Sequence, residues 1–262
     1  MTENERQRAI AFMRRLDDRA CDRQEPFPGG VATLTDELPR IANLNLLRLE
    51  ELAERLALVE LGAEAERVAR EADRLCATLP QRRVIAYDEE IGTRIALGFE
   101  TLPGWITERV VLMAQHRPVD RDVDTTFVRE VEEEELQPAR ERFLRGRGAD
   151  DDLVGQELRG AQRLAALGDV WAFAALVEGE VASYCELHAD GTGTAQIRGV
   201  ATLPEHRGGG LARATVSHAL AKSEVLGHEL TFLRAVHDDW PKNLYGKLGF
   251  DAIGTMYRFT RP

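Results

Sequence analysis

The chain has 262 residues, 44% of them hydrophobic and 30% charged, with a formal net charge of −11 at pH 7. That composition is ordinary for a globular protein with its own core, and the length favours two lobes over one. The acidic balance excludes a binder of phosphate backbones, since nucleic-acid affinity rests on clustered Lys and Arg. Cys21, Cys76 and Cys185 are odd in number and form no C-x-x-C pair. Neither a metal site nor a disulfide framework is therefore expected, only reduced and buried thiols. The opening MTENERQRAIAFMRR lacks the apolar run of a signal peptide. No segment approaches the roughly 20 apolar residues of a membrane span. A soluble, cytoplasmic protein with no membrane partner is expected, and the preference for Arg over Lys reads as the codon bias of a GC-rich bacterial genome.

In chain order, Ile10, Phe12, Met13 and Leu16 fall near helical spacing and predict an opening helix. Residues 26–39, PFPGGVATLTDELP, have turn residues at both ends of a β-branched middle and predict strand and turn. Residues 41–50 alternate as another strand, and a long helical pattern follows to about Leu79, clearest over residues 63–76. RRVIAYD predicts a strand, EEIGTRIALGF a helix and WITERVVLMAQ a strand. QHRPVDRDVDT, residues 115–125, breaks the pattern with Pro118 and a cluster of charges. The lobe boundary is placed there, giving residues 1–118 and 119–262.

Beyond it, TFVREV predicts a strand and residues 132–145 a helix whose acidic start reads as a solvated end. Asp150, Asp151 and Asp152 suit the cap of the next helix, which runs to about Leu167. Three strands joined at Gly179 and at residues 191–193 follow. A helix from about Gly210 to Leu226, a strand at ELTFLRAV, a short helix at WPKNLYGKLG and a final strand complete the chain. This order gives an α/β (α+β) fold with a mixed, mostly antiparallel sheet flanked by helices.

The most informative stretch is VATLPEHRGGGLARATV, residues 200–216: a β-branched strand, a turn broken by Pro204, three glycines and a helix start. Gly208, Gly209 and Gly210 have no Cβ, so their N–H groups can converge on an anion. The helix beginning at about Leu211 turns its positive end to the same spot, which makes a pyrophosphate cradle. A P-loop is excluded because no Gly-Lys-Ser/Thr follows the glycines, and a Rossmann fold because its first βαβ unit is missing. About thirty residues on stands a second signal, NLYGKLGF at 243–250.

Together these residues resemble the GNAT superfamily of N-acetyltransferases, over about residue 124 to the C-terminus. The family's Arg/Gln-x-x-Gly-x-Gly/Ala signature is matched by Arg207-Gly-Gly-Gly210-Leu-Ala212, and its later motif by Leu244-Tyr245 and Leu248-Gly249-Phe250. The resemblance implies acetyl-CoA as cosubstrate and direct transfer to a primary amine, on a small molecule or a peptide. The backbone of Val200, Ala201 and Thr202 would pair with pantetheine as a surrogate strand. Backbone N–H groups of Gly208, Gly209, Gly210, Leu211, Ala212 and Arg213 would hold the pyrophosphate. An N–H near Val200 would serve the oxyanion, and Tyr245 would protonate the leaving thiolate.

Many family members carry a Glu on the strand before the Tyr helix, where this chain has Leu233, so Glu186 is the preferred general base. Asp238 stands near the family's Asn and is expected to contact CoA or to cap the WPKNLYG helix. Tyr184, Trp171 and Trp240 are candidates to line a substrate cleft. The acidic balance mildly favours a cationic acceptor. The first lobe resembles a shortened, degenerate GNAT-like lobe with neither motif, so one acetyl-CoA per chain is expected. The alternative is a non-catalytic acyl-CoA-binding sensor, for which the missing Glu at Leu233 speaks. A homodimer is an open option.

Overall fold

The computed structural model describes residues 2–52 and 58–262. Helix α1 (Thr2–Ala20) opens the chain and buries Ala9, Phe12 and Met13. A hairpin of β1 (Arg23–Phe27) and β2 (Gly30–Leu34) follows. The strand expected over residues 41–50 is confined to β3 (Leu46–Leu49), and Ala42–Leu44 winds into a 3-10 turn. Asn45 is the cause: its amide donates to the carbonyls of Leu38 and Ile41 at 2.8 and 3.1 Å and accepts from the Thr35 N–H at 2.8 Å. Side-chain bonds thus take the backbone groups that a longer strand would need.

Helix α2 (Leu58–Leu75) leads to β4 (Arg82–Ala86), α3 (Glu89–Phe99) and β5 (Ile106–Gln115). Residues 53–57 of the expected long helix lie outside the described residues. Asp88, the last residue of the expected strand RRVIAYD, instead starts α3 by accepting the Ile91 N–H at 3.0 Å. The second half runs β6 (Val128–Val131), α4 (Glu133–Arg145), α5 (Asp151–Ala165), β7 (Asp169–Val177), β8 (Glu180–Ala189) and β9 (Thr194–Thr202). It closes with α6 (Leu211–Val225), β10 (Leu230–Val236), α7 (Pro241–Lys247) and β11 (Phe250–Arg261). Asp150 caps α5, accepting the Leu153 N–H at 2.8 Å. None of the described helices is long and apolar enough to cross a membrane.

All eleven strands form one sheet in the order β1-β2-β3-β4-β11-β5-β10-β9-β8-β7-β6. Only β3·β4 and β9·β10 are parallel, and each parallel pair is bridged by a helix, α2 and α6 respectively. Outward from the central β11–β5 pair, both directions run through an antiparallel neighbour, a parallel pair and an antiparallel hairpin, with β6 an extra edge strand of the second half. The two halves of the chain thus repeat one β-α-β plan. At the centre β5 and β11 pair with each other, Ile106 opposite Thr260 at one end and Gln115 opposite Phe250 at the other. Strand β11 belongs to the second half in sequence yet pairs with β4, while β5 of the first half pairs with β10. The division at residue 118 therefore follows the chain, and in space each half is completed by a strand of the other.

Alternation of side chains fixes two faces. Helices α2, α3, α6 and α7 cover one. Leu47, Val84 and Phe259 are buried there in the first half, and Cys185, Ile197, Leu233 and Tyr245 in the second. Helices α1, α4 and α5 cover the other, over Leu112, Phe232 and Met256 at the centre and Ala172, Ala174 and Tyr184 further out.

Candidate active site

Strands β9 and β10 are hydrogen-bonded at only three positions, Thr194 to Gln196 with Leu230 to Phe232, although both continue further. Beyond those rungs the pairing ends and leaves a slot between the two strands. A bulge marks the same place. Tyr184 faces Ala201 and Glu186 faces Arg198, so Gly199 and Val200 stand against a single residue of β8. Gly199 adopts the left-handed φ of +61° that such a bulge requires. The edge of β9 that faces the slot over Val200, Ala201 and Thr202 has no strand partner on that side, so its backbone groups are available to an extended ligand.

Past the slot the chain turns at Pro204–His206, where the Arg207 Nε donates to the Thr202 carbonyl at 3.3 Å. Gly208 and Gly210 have φ of +83° and +81°, and Gly210 is the N-cap of α6. A Cβ added at either would meet nothing within 4 Å, so the space over the loop is open. The first N–H groups of a helix have no partner inside it. In α6 these belong to Leu211, Ala212 and Arg213, next to the exposed glycines. The Arg213 side chain turns away, however, and is buried against Asp120 at 2.5 Å. Only its backbone faces the cradle.

Tyr245 lies on the α6 side of the slot, in α7, buried among Cys185, Leu248 and Phe250. Burial pushes its phenol up to about 12, with the neighbouring Cys185 adding to the effect. It therefore stays protonated at any ordinary pH. Leu233 is buried on the same side, so β10 supplies no carboxylate here. Asp238 lies just past the end of β10 with its side chain exposed and bonded to His237 Nδ1 at 2.7 Å. It does not cap α7, whose N-cap is Trp240.

Glu186 follows Cys185 on β8 and so projects from the opposite face. Its Oε2 is 3.4 Å from where a Cβ on Gly199 would sit, which puts the carboxylate at the bulge. It accepts from His188 Nε2 at 3.1 Å and from Arg140, and Arg140 also holds Glu133 at 3.0 Å. Burial alone would raise Glu186. The hydrogen bond from His188 and the Arg140 guanidinium outweigh it and hold Glu186 below the usual carboxylate range. Burial, with the Glu186 charge next, pushes Glu133 up to about 7 against the pull of Arg140. Two carboxylates on one arginine thus titrate as a pair, with Glu133 raised and Glu186 lowered. Glu133 is accordingly turned inward, unlike the solvated helix start expected for residues 132–135.

On this second face the slot opens into a cleft of about 440 Å³. Its walls are α4, α5 and the first-half residues Ile41, Asn43 and Leu44; Tyr184, Glu186 and Val200 lie on its rim, and Arg198 and Arg234 also line it. Tyr184 lines the cleft as expected, with Arg140 over its ring at 5.5 Å. Trp240 is two-thirds exposed on α7, and Trp171 packs under Lys222. Sequence reasoning missed Glu133, Arg140, Arg198 and Arg234. For Arg198 and Arg234 the available signal was charge at strand positions whose neighbours are apolar; Glu133 and Arg140 lie on helix α4 and carried no such signal.

Residues 128–250 match the model of the acetyltransferase (GNAT) family. The fold is similar to that of a GCN5-related N-acetyltransferase from Kribbella flavida, at TM-score 0.65 and 18% identity over 97% of this chain and 95% of that one. It is also similar to a GCN5-related N-acetyltransferase from Sphaerobacter thermophilus, with TM-score 0.60, 16% identity, and 89% and 78% of the two chains covered. A GCN5-related N-acetyltransferase-like protein from Streptococcus suis aligns over 100% of both chains at TM-score 0.56 and 12% identity. No curated protein matches the sequence.

Proposed function

We propose, from the match of residues 128–250 to the GNAT acetyltransferase family model, that the protein transfers an acetyl group from acetyl-CoA directly to a primary amine. One observation supports this reading above the others: a single slot joins an open anion cradle on one face to a cleft with a proton-accepting pair on the other. The cradle of Gly208, Gly209, Gly210, Leu211, Ala212 and Arg213 would hold the pyrophosphate through backbone N–H groups. Val200, Ala201 and Thr202 would pair with the pantetheine arm.

Acetyl-CoA supplies an activated thioester, and the chain's own residues do the rest. The amine approaches from the cleft, where the ionised Glu186 meets its charge and passes the released proton to Glu133. The Val200 N–H, freed by the bulge, is available to the developing oxyanion. Tyr245, on the far side of the slot and always protonated, gives its proton to the departing sulfur. The first half of the chain carries neither motif and contributes a wall of the acceptor cleft.

The test is thiol release from acetyl-CoA across a panel of amines, with wild type and Tyr245→Phe in parallel. Turnover is expected, lowered about 100-fold or more in the variant. Tight one-to-one acetyl-CoA binding with no turnover on any amine would replace this reading with that of an acyl-CoA sensor.

A further inference from the structure

Two arginines in the cleft have no protein partner. Gln196 and Phe232 form the last rung between β9 and β10. Arg198 and Arg234 each lie two residues further on, so both side chains leave the same face, flanking the slot. Both line the cleft. Among the described residues neither makes a hydrogen bond or an ion pair, whereas most other arginines of the protein do.

Glu186 and Asp17, the acids whose charge reaches Arg198, are already engaged, and Glu157, a further acid of the cleft, faces the charges of Arg140 and Arg83. Glu186 is held by Arg140 and His188. Asp17 accepts the Tyr87 hydroxyl at 2.7 Å and faces Arg48 at 3.7 Å. Burial, then the Arg234 charge, lower Arg198 to about 10, so it remains a cation whose neighbour is another cation. Like charges left unpaired in a part-buried site are costly unless a ligand supplies the counter-charge. The phosphates of acetyl-CoA do not, because their cradle lies on the opposite face.

Resting on the transferase reading above, we propose that the acceptor is an amine that also carries a carboxylate, which the Arg198 and Arg234 guanidiniums bind while its amine is directed to Glu186 at the bulge. Planar guanidiniums suit a carboxylate through paired N–H···O bonds. Leu44, Phe143, Leu144, Leu158 and Leu164 line the rest of the cleft and leave an apolar wall for the acceptor's body. The overall negative charge of the chain is no guide here, because at an ordinary Debye length of about 8 Å a ligand in the cleft sees the local arginines first.

The experiment compares glycine, 4-aminobutyrate, 6-aminohexanoate, L-glutamate and L-phenylalanine with their carboxamides. Thiol release is followed on the full chain, and each compound's binding is measured by calorimetry with CoA present. At least one carboxylate is expected to exceed its carboxamide by about tenfold or more in kcat/KM and in affinity. Arg198→Gln and Arg234→Gln should each collapse that ratio to below about threefold, and Arg198→Lys should restore part of it. The ratio carries the test, so a general loss of rate does not affect it. Equal binding of acids and amides, or a ratio that survives both Gln variants, overturns the proposal. A calorimetric preference without thiol release on any amine supports the anion site and counts against the transferase reading alone.

Discussion

Replacing Glu133 by Gln should erase an acid limb from the pH–rate profile. Glu133 faces Arg140, Glu186 and Glu134, and Glu186 in turn faces His188. With Glu133 at about 7, the pair can accept a proton only in the fraction of molecules where Glu133 is free. That fraction is about one in eleven at pH 6 and about ten in eleven at pH 8, so kcat/KM should rise about tenfold across the interval. The sign follows from the cause: burial and a neighbouring negative charge raise this carboxyl, so activity is lost as pH falls through 7. Glu133→Gln leaves Glu186 alone with Arg140 and His188, ionised far below this range. The limb then disappears between pH 6 and 8 and the plateau drops about 10- to 100-fold. Glu186→Gln relieves Glu133 of its charged neighbour and should move the limb to lower pH while lowering the rate. Thiol release at saturating acetyl-CoA, with two amines of different basicity, separates this limb from ionisation of the acceptor. A limb unchanged in Glu133→Gln, or one that tracks the amine, would refute the paired titration.

Two further outcomes concern the cradle and the lobe junction. Gly209 has an ordinary φ, and a Cβ there would meet only the His206 carbonyl at 3.7 Å. Gly209→Val should therefore melt like wild type yet bind acetyl-CoA about tenfold or more weakly by calorimetry; unchanged affinity would remove the loop from the phosphate site. Gly249 has φ of +88° and accepts the His116 and Arg117 N–H groups at 3.0 and 3.1 Å, and a Cβ would come within 1.8 Å of the Arg117 carbonyl. Gly249→Ala should cost at least about 2 kcal/mol, a fall in Tm of roughly 4–8 °C; a shift within about 1 °C would show that the junction yields freely.

What the sequence disclosed was local. Asp150 announces a helix start because an N-cap acts within three residues, and the glycines at 208–210 announce a turn for the same reason. What it withheld depends on pairing between distant strands. Arg198 and Arg234 become neighbours only through the register of β9 and β10, and Glu133 meets Glu186 only because α4 packs over β8. Arg213 sits in the expected phosphate run, but its side chain is drawn to Asp120. The strand expected at residues 41–50 was shortened by Asn45, whose bonds to Leu38, Ile41 and Thr35 no alternation pattern registers.

The exchange of β5 and β11 also constrains how the protein comes to be made. Strand β11 leaves the ribosome after β1 to β10, yet it fills the space between β4 and β5 of the half synthesised earlier. Until it arrives, that half exposes open strand edges, which invite pairing with other chains. Domains ordinarily fold in order of synthesis; here the early half must wait for the late one, so the two close in one event dominated by contacts remote in sequence. A half without a cradle of its own thereby remains indispensable: losing it would open one edge of β10 and take away both strand partners of β11.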